Sequence, residues 1–154
     1  MAESGIKQYF SDKVTDTSTT AQNGLGVLRF EGSKVYRYVK AADAITQRAV
    51  VSFDGNDAAG TDDWTVIKGS ADVVTPAGVA VGAIASGSYG WIQVGGIVSC
   101  IGDGSVSALD AVVSNGDGTV DTMADGEEEQ VIGFALEDDI ATTYYVNVKL
   151  RGLI

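Results

Sequence analysis

The stretch Val79-Ala-Val-Gly-Ala-Ile-Ala-Ser-Gly-Ser-Tyr-Gly-Trp-Ile-Gln-Val-Gly-Gly-Ile-Val-Ser-Cys-Ile101 decides the fold class. Residues 79–84 read as a strand, Ser86-Gly87-Ser88 as a turn, and residues 89–94 as a second strand. Strand alternation puts Tyr89, Trp91 and Gln93 on one face and Ile92 and Val94 on the other. Trp91 is expected in a core or a subunit contact, with Gln93 nearer its rim. Gly95-Gly96 is expected to break the strand before residues 97–101 resume it. Cys100, set among apolar neighbours, reads as a buried structural thiol.

The same grammar extends outward. Upstream, residues 26–30 and 35–40 flank Glu31-Gly32-Ser33 as a hairpin; residues 48–53 and 64–67 are further strands, separated by an Asp-rich loop that runs to Asp62-Asp63. In residues 35–40 neither face is cleanly apolar, which suits a strand packed on both sides. No helix longer than three turns is expected, except near residues 41–48. Downstream, residues 109–114 and 119–123 flank Asn115-Gly116, a strong hairpin signal. Residues 131–136 and 144–150 close the pattern, with Tyr144, Val146, Val148 and Leu150 expected to face the core. Nine or ten short strands at this spacing predict a mainly β fold, a small β-barrel or β-sandwich of short antiparallel strands.

The chain has 154 residues, 20 of them Gly and none His. That length supports one domain with a core of its own. Residues 25–154 are expected to form this single β-rich domain, and residues 1–24 an extended, flexible N-terminal arm. The arm is polar, with apolar interruptions at Ile6, Tyr9, Phe10 and Val14, of which the first three have no evident intramolecular use; the alternative is that the arm packs on its own β domain or on a neighbouring subunit. These four residues are the candidates for docking on a partner. Tyr36, Tyr38, Tyr89 and Trp91 are the candidates for a subunit interface or a core.

Charge narrows the partners. The formal net charge is −11; residues 1–50 carry seven basic and five acidic side chains, residues 51–154 three basic and sixteen acidic. Such a body is repelled by nucleic acid and by anionic membranes. No run approaches the ~20 apolar residues of a membrane span. The N-terminus lacks a basic segment followed by an apolar core, so synthesis in a cytosol is expected.

The absence of His excludes a Ser-His-Asp triad, a Cys-His pair and His-dependent zinc sites, and one Cys excludes multi-thiolate metal sites. No phosphate-binding or dinucleotide-binding glycine loop is present. Catalysis is not expected, and neither a cofactor nor a metal is implied. The segment Asn115-Gly-Asp-Gly-Thr-Val-Asp121 resembles the middle of a calcium loop, but Val113 and Ala124 stand where its terminal carboxylates belong. An acidic turn is the better reading, with a calcium-dependent enzyme the most distant alternative.

Four stretches resemble the small decoration (cement) proteins of tailed-bacteriophage capsids: Val35-Tyr-Arg-Tyr-Val-Lys-Ala-Ala, Ala80-Val-Gly-Ala-Ile-Ala-Ser-Gly-Ser-Tyr-Gly-Trp-Ile-Gln-Val-Gly-Gly, Val131-Ile-Gly-Phe-Ala-Leu-Glu and Val146-Asn-Val-Lys-Leu. The resemblance implies a β-rich structural protein, often a homotrimer, that binds the major capsid protein on the outer surface of the virion. It also implies that residues 1–24 contact the capsid and that the β domain self-associates. The rival expectation is a carbohydrate- or peptide-binding β module of a larger assembly or head fibre, with Tyr89 and Trp91 lining an exposed cleft.

Overall fold

The computed structural model describes residues 9–55, 64–71, 75–139 and 144–153. Ten strands lie among them: β1 (Leu28–Glu31), β2 (Lys34–Ala41), β3 (Val50–Phe53), β4 (Thr65–Lys68), β5 (Pro76–Ala80), β6 (Tyr89–Ile101), β7 (Ala111–Ser114), β8 (Val120–Thr122), β9 (Gly133–Ala135) and β10 (Tyr145–Leu150). The helical content of the described residues is two short 3-10 turns, Gly116–Gly118 and Glu128–Gln130. The fold is mainly β, as its alternation predicts. Strand neighbours run β1-β2-β4-β3-β5-β6-β10-β9-β7-β8, and β2 also pairs with β6.

The sheet is mixed rather than antiparallel throughout. β2 and β4 run parallel, with Lys40 opposite Thr65 and Ala41 opposite Val66. β3, which follows β2 in sequence, pairs instead with β4 and β5 and leaves that edge of β2 to β4. Hydrogen bonding therefore passes from β2 through β4, β3, β5 and β6 and returns to β2.

The expected break at Gly95-Gly96 does not occur. β6 is one strand of thirteen residues. Its first half pairs with β2 and β5 and its second half with β10. The glycines are needed for close approach: Gly96 has φ +86°, and a Cβ there would lie 2.6 Å from the Ser33 carbonyl oxygen in the β1–β2 turn. Pairing survives on both sides, Gly95 opposite Val35 and Gly96 opposite Leu150. β6 thus contributes to two cores. Ile92 and Val94 pack with Val39, Val51 and Val66, while Val98 and Cys100 pack with Val112, Val146 and Val148. Cys100 is fully buried, and burial pushes its thiol up to about 12.

Other expectations shift locally. The hairpin at Glu31-Gly32-Ser33 forms with Glu31 opposite Lys34. The strand expected over 79–84 instead ends at Ala80, and Ile84 makes only an isolated bridge to Ile45. That bridge belongs to the bends that replace any helix over 41–48. Asn115-Gly116 starts a five-residue link rather than a two-residue turn, because Ser114 pairs with Val120 and the Asn115 side chain accepts the Gly116 N–H over a 3-10 turn. Val146, Val148 and Leu150 face the core, but Tyr144 precedes the strand with φ 51° and stays half exposed. The loop at 56–63, with Asp62 and Asp63, lies outside the described residues.

Replacing Gly96 by Val is expected to cost about 1–3 kcal/mol, from the left-handed backbone and the contact with the turn. Gly55→Ala, with open space around it, should stay within about 0.5 kcal/mol of the parent. Melting curves compare them, and equal midpoints would show that the glycine pair is dispensable. Cys100, neutral at pH 8, should resist iodoacetamide in the native protein and react once guanidinium unfolds it; rapid native labelling would mean that the second core opens readily.

Candidate interaction surfaces

The outward side chains of β2 and β6 form an aromatic layer in which Tyr36, Tyr38 and Trp91 are all buried and Tyr89 is partly so. Tyr38 lies 5.0 Å from Trp91, centroid to centroid, and stacks on Tyr89 at 6.3 Å. Burial raises the Tyr36 and Tyr38 hydroxyls above their ordinary range, and Glu31 adds to the effect at Tyr36. Within one chain Tyr36, Tyr38 and Trp91 are therefore core, with Tyr89 partly covered beside them.

What covers the layer is the chain's own N-terminal segment. Phe10 meets Trp91 edge-on at 5.1 Å. The indole Nε1 of Trp91 donates to Asp12 Oδ2 at 2.8 Å, and Asn23 Nδ2 donates to the same oxygen at 3.0 Å. The Arg29 guanidinium sits over the Phe10 and Trp91 rings, donates to the Asp12 carbonyl at 2.8 Å and pairs with Glu31 at 2.6 Å. Ser18 and Tyr89 exchange backbone hydrogen bonds, and the Gln22 N–H donates to the Tyr38 hydroxyl. Val14, Leu25 and Val27 pack on the same layer.

This corrects the expected arm. Phe10 and Val14 do have intramolecular uses, because a buried indole needs an acceptor and three large rings need cover. Ile6 lies outside the described residues. Tyr9 alone among the arm candidates described projects outward, 82% exposed beside Phe30 at 67%. Together with Leu28 and the Arg29–Glu31 pair they line an open cleft of about 500 Å³ at the edge strand β1. Sequence reading missed Asp12 and Arg29; the signal available was a single carboxylate two residues after Phe10, in a segment otherwise read as a tail.

Gln93 is also corrected. It is 1% exposed rather than at a rim, and its Nε2 donates to the Gly95 and Ile97 carbonyls at 2.9 Å each, bracing the glycine pair from outside. With Trp91 equally buried, an exposed cleft lined by Tyr89 and Trp91 does not exist. In a hollow of about 330 Å³ beside Tyr38, the lining Asp12 and Tyr38 are already engaged by Trp91 and Gln22.

Several carboxylates of the second half act as turn staples. Asp139 accepts from the Gly104 N–H and Asp138 from the Ala108 N–H. Asp110 accepts from the Ser107 N–H and the Thr122 hydroxyl, and Asp103 and Asp121 share the Ser105 hydroxyl. In the loop with calcium-like spacing, Asp117 points outward and pairs with Lys68 at 3.2 Å. Among the described residues no group of three or more Cys, Asp or Glu could hold a metal ion.

Trp91→Ala is expected to destabilise the protein by about 3–5 kcal/mol, and Asp12→Ala, which strands a buried donor, by about 1–3 kcal/mol. Asp12→Asn, which keeps an acceptor, should fall between Asp12→Ala and the parent. Chemical denaturation measures all three; an Asp12→Ala midpoint equal to the parent's would show that the N-terminal segment is not held through this bond.

No protein-family model matches this sequence, and no curated protein does. Among solved structures, the fold is similar to the head fiber gp8.5 N base of bacteriophage phi29, with a TM-score of 0.56 and 18% sequence identity, over 76% of this chain and 93% of that chain. At that identity the likeness is one of fold.

Proposed function

We propose that this protein is a non-enzymatic structural component of a tailed-phage head, a decoration (cement) protein seated as a homotrimer on the outer capsid surface against the major capsid protein. The observation that carries the reading is the fold shared with the base of a phage head fiber, which spans 93% of that chain. Two features support it. Many glycines and carboxylates of the chain are used in turns, leaving a body built for shape rather than reaction. Its charge of −11 repels DNA and favours display facing solvent. The same likeness favours a second reading, in which the domain is the base of a head fibre rather than a cement.

Attachment through the N-terminal segment narrows to its outward end. Phe10 and Val14 hold the segment on the body, so Tyr9, joined by Phe30 from β1, presents the aromatic surface to the capsid. Because the segment is already ordered from Tyr9 onward, binding there does not incur the roughly 1–2 kcal/mol per residue that ordering a free arm would cost. Symmetric repetition then multiplies a modest contact.

The test uses heads of the encoding phage prepared with and without the protein. Electron microscopy should show added density at symmetry-related sites on the shell, and its absence there would end the reading. A cement raises the temperature at which the heads release DNA; a fibre base leaves that temperature unchanged. Tyr9→Ala combined with Phe30→Ala should keep the melting temperature and weaken shell binding by roughly tenfold or more. Full occupancy by the double variant would move capsid recognition to another face.

A further inference from the structure

The strand order ends in β1 and β8, and the outer N–H and C=O groups of a terminal strand need a partner or water. The two ends are treated differently. The chain closes the β8 edge with its own backbone: Gly102 bridges to Val120, whose carbonyl accepts from the Asp103 N–H. β1 has β2 as its one strand neighbour.

Which backbone groups of β1 face outward follows from β2. The Tyr38 N–H donates to the Val27 carbonyl, while the Ala41 N–H donates on the opposite side of the strand, to the Ser88 carbonyl. A period of two then turns the backbone groups of Tyr36 and Lys34 toward β1, where they meet Arg29 and Glu31. The N–H and C=O groups of Leu28 and Phe30 therefore point away from β2, and no hydrogen bond among the described residues reaches them.

Side chains alternate across the same strand. Leu28 packs on the core that holds Val39 and Val51, whereas the Arg29 guanidinium lies over the Phe10 and Trp91 rings on the other face. The cleft of about 500 Å³ takes its walls from both sets, Leu28 and Phe30 from one face and Arg29 and Glu31 from the other, with Tyr9 and Phe10 beside them. A hollow that touches both faces of a terminal strand runs along its edge. The unused backbone groups thus open into a cleft with aromatic walls.

We propose that the free edge of β1 takes up an extended segment of the major capsid protein as an added strand. The inference rests on the head-protein reading and states how its Tyr9–Phe30 surface binds. Four backbone groups at strand spacing match the alternating donors and acceptors of another extended chain; an apolar surface would bury them unsatisfied. Phe30 on one face, with Tyr9 and Phe10 on the other, lies against the alternate side chains of that segment. It therefore carries aliphatic or aromatic residues, and no proline opposite Phe30. A second copy does not fit: β1 against β1 is a two-fold contact, which the three-fold axis of a homotrimer does not generate, and each copy brings a charge of −11.

The probe is a preparation of heads of the encoding phage that lack the protein. Amide hydrogen exchange of the full-length protein, free and bound to those heads, reads the edge directly. Exchange over residues 28–30 should slow by about tenfold or more on the heads. Phe30→Pro removes one outward N–H and leaves the β2 pairing intact, as proline is tolerated on an edge strand. Beside Phe30→Ala, which removes the ring alone, it should weaken shell binding by a further factor of about five. Unchanged exchange over residues 28–30 on decorated heads, or equal shell binding by the two variants at the parent's melting temperature, would overturn the proposal and leave the head reading in place. Heads that take up no protein would end both. A dimer, seen by sedimentation and lost in Phe30→Pro, would also overturn it, because a second copy would then hold the edge. Should Phe30→Pro lower the melting temperature, the exchange measurement decides.

Discussion

The molecule depends on one strand that cannot be allocated to either of its cores. β6 is hydrogen-bonded to β2 and β5 along its first half and to β10 along its second, and its inward residues enter two apolar clusters in turn. Neither cluster can keep its packing if β6 leaves, so the two halves are tied into one cooperative unit. The constraint on this strand is local. At Gly96 it must pass beneath the β1–β2 turn, where a side chain has no room and the backbone is left-handed. Gln93 secures the passage from the outer side with two hydrogen bonds, so its burial is structural rather than incidental.

Much of this was legible in the sequence, and the failures have physical causes. Alternation over 35–40, 89–94 and 145–150 located strands, and in the last run also the inward Val146, Val148 and Leu150, because a period of two is imposed by the backbone itself. The hairpin at Gly32 was legible because left-handed φ there suits glycine. The same residue type misled at Gly95-Gly96, where glycine serves close approach rather than termination; a dipeptide does not disclose which neighbour presses on it. Asn115-Gly116 misled for a related reason, since the Asn side chain found a backbone donor and opened a longer link.

The candidate site was legible in its large side chains and illegible in its polar ones. Tyr36, Tyr38, Tyr89 and Trp91 could be grouped as core or subunit contact, since amphipathic rings on two strands need cover, and within the chain they form one layer. What buries them lies up to 79 residues away in sequence, and no local pattern reports a contact at that separation. Phe10 and Val14 were therefore assigned to a partner, when the partner is the chain's own sheet. Asp12 passed unnoticed because an isolated carboxylate in a polar segment looks solvated until an indole is found beside it.

That separation has a consequence for how the protein is made. Residues 9–27 emerge from the ribosome well before the strand they cover, so Phe10, Val14 and Asp12 wait for Trp91 with no surface to rest on. Contacts that close so long a loop come late and slowly, as in other folds dominated by distant pairings. During that interval the growing chain must resist sticking to its copies. The first residues made are polar around their few apolar anchors, while residues 1–91 carry eight basic and ten acidic side chains and residues 92–154 two basic and eleven acidic. The negative charge that keeps copies apart therefore accumulates only after Trp91 has been made, and the polar residues around the anchors cover the earlier interval.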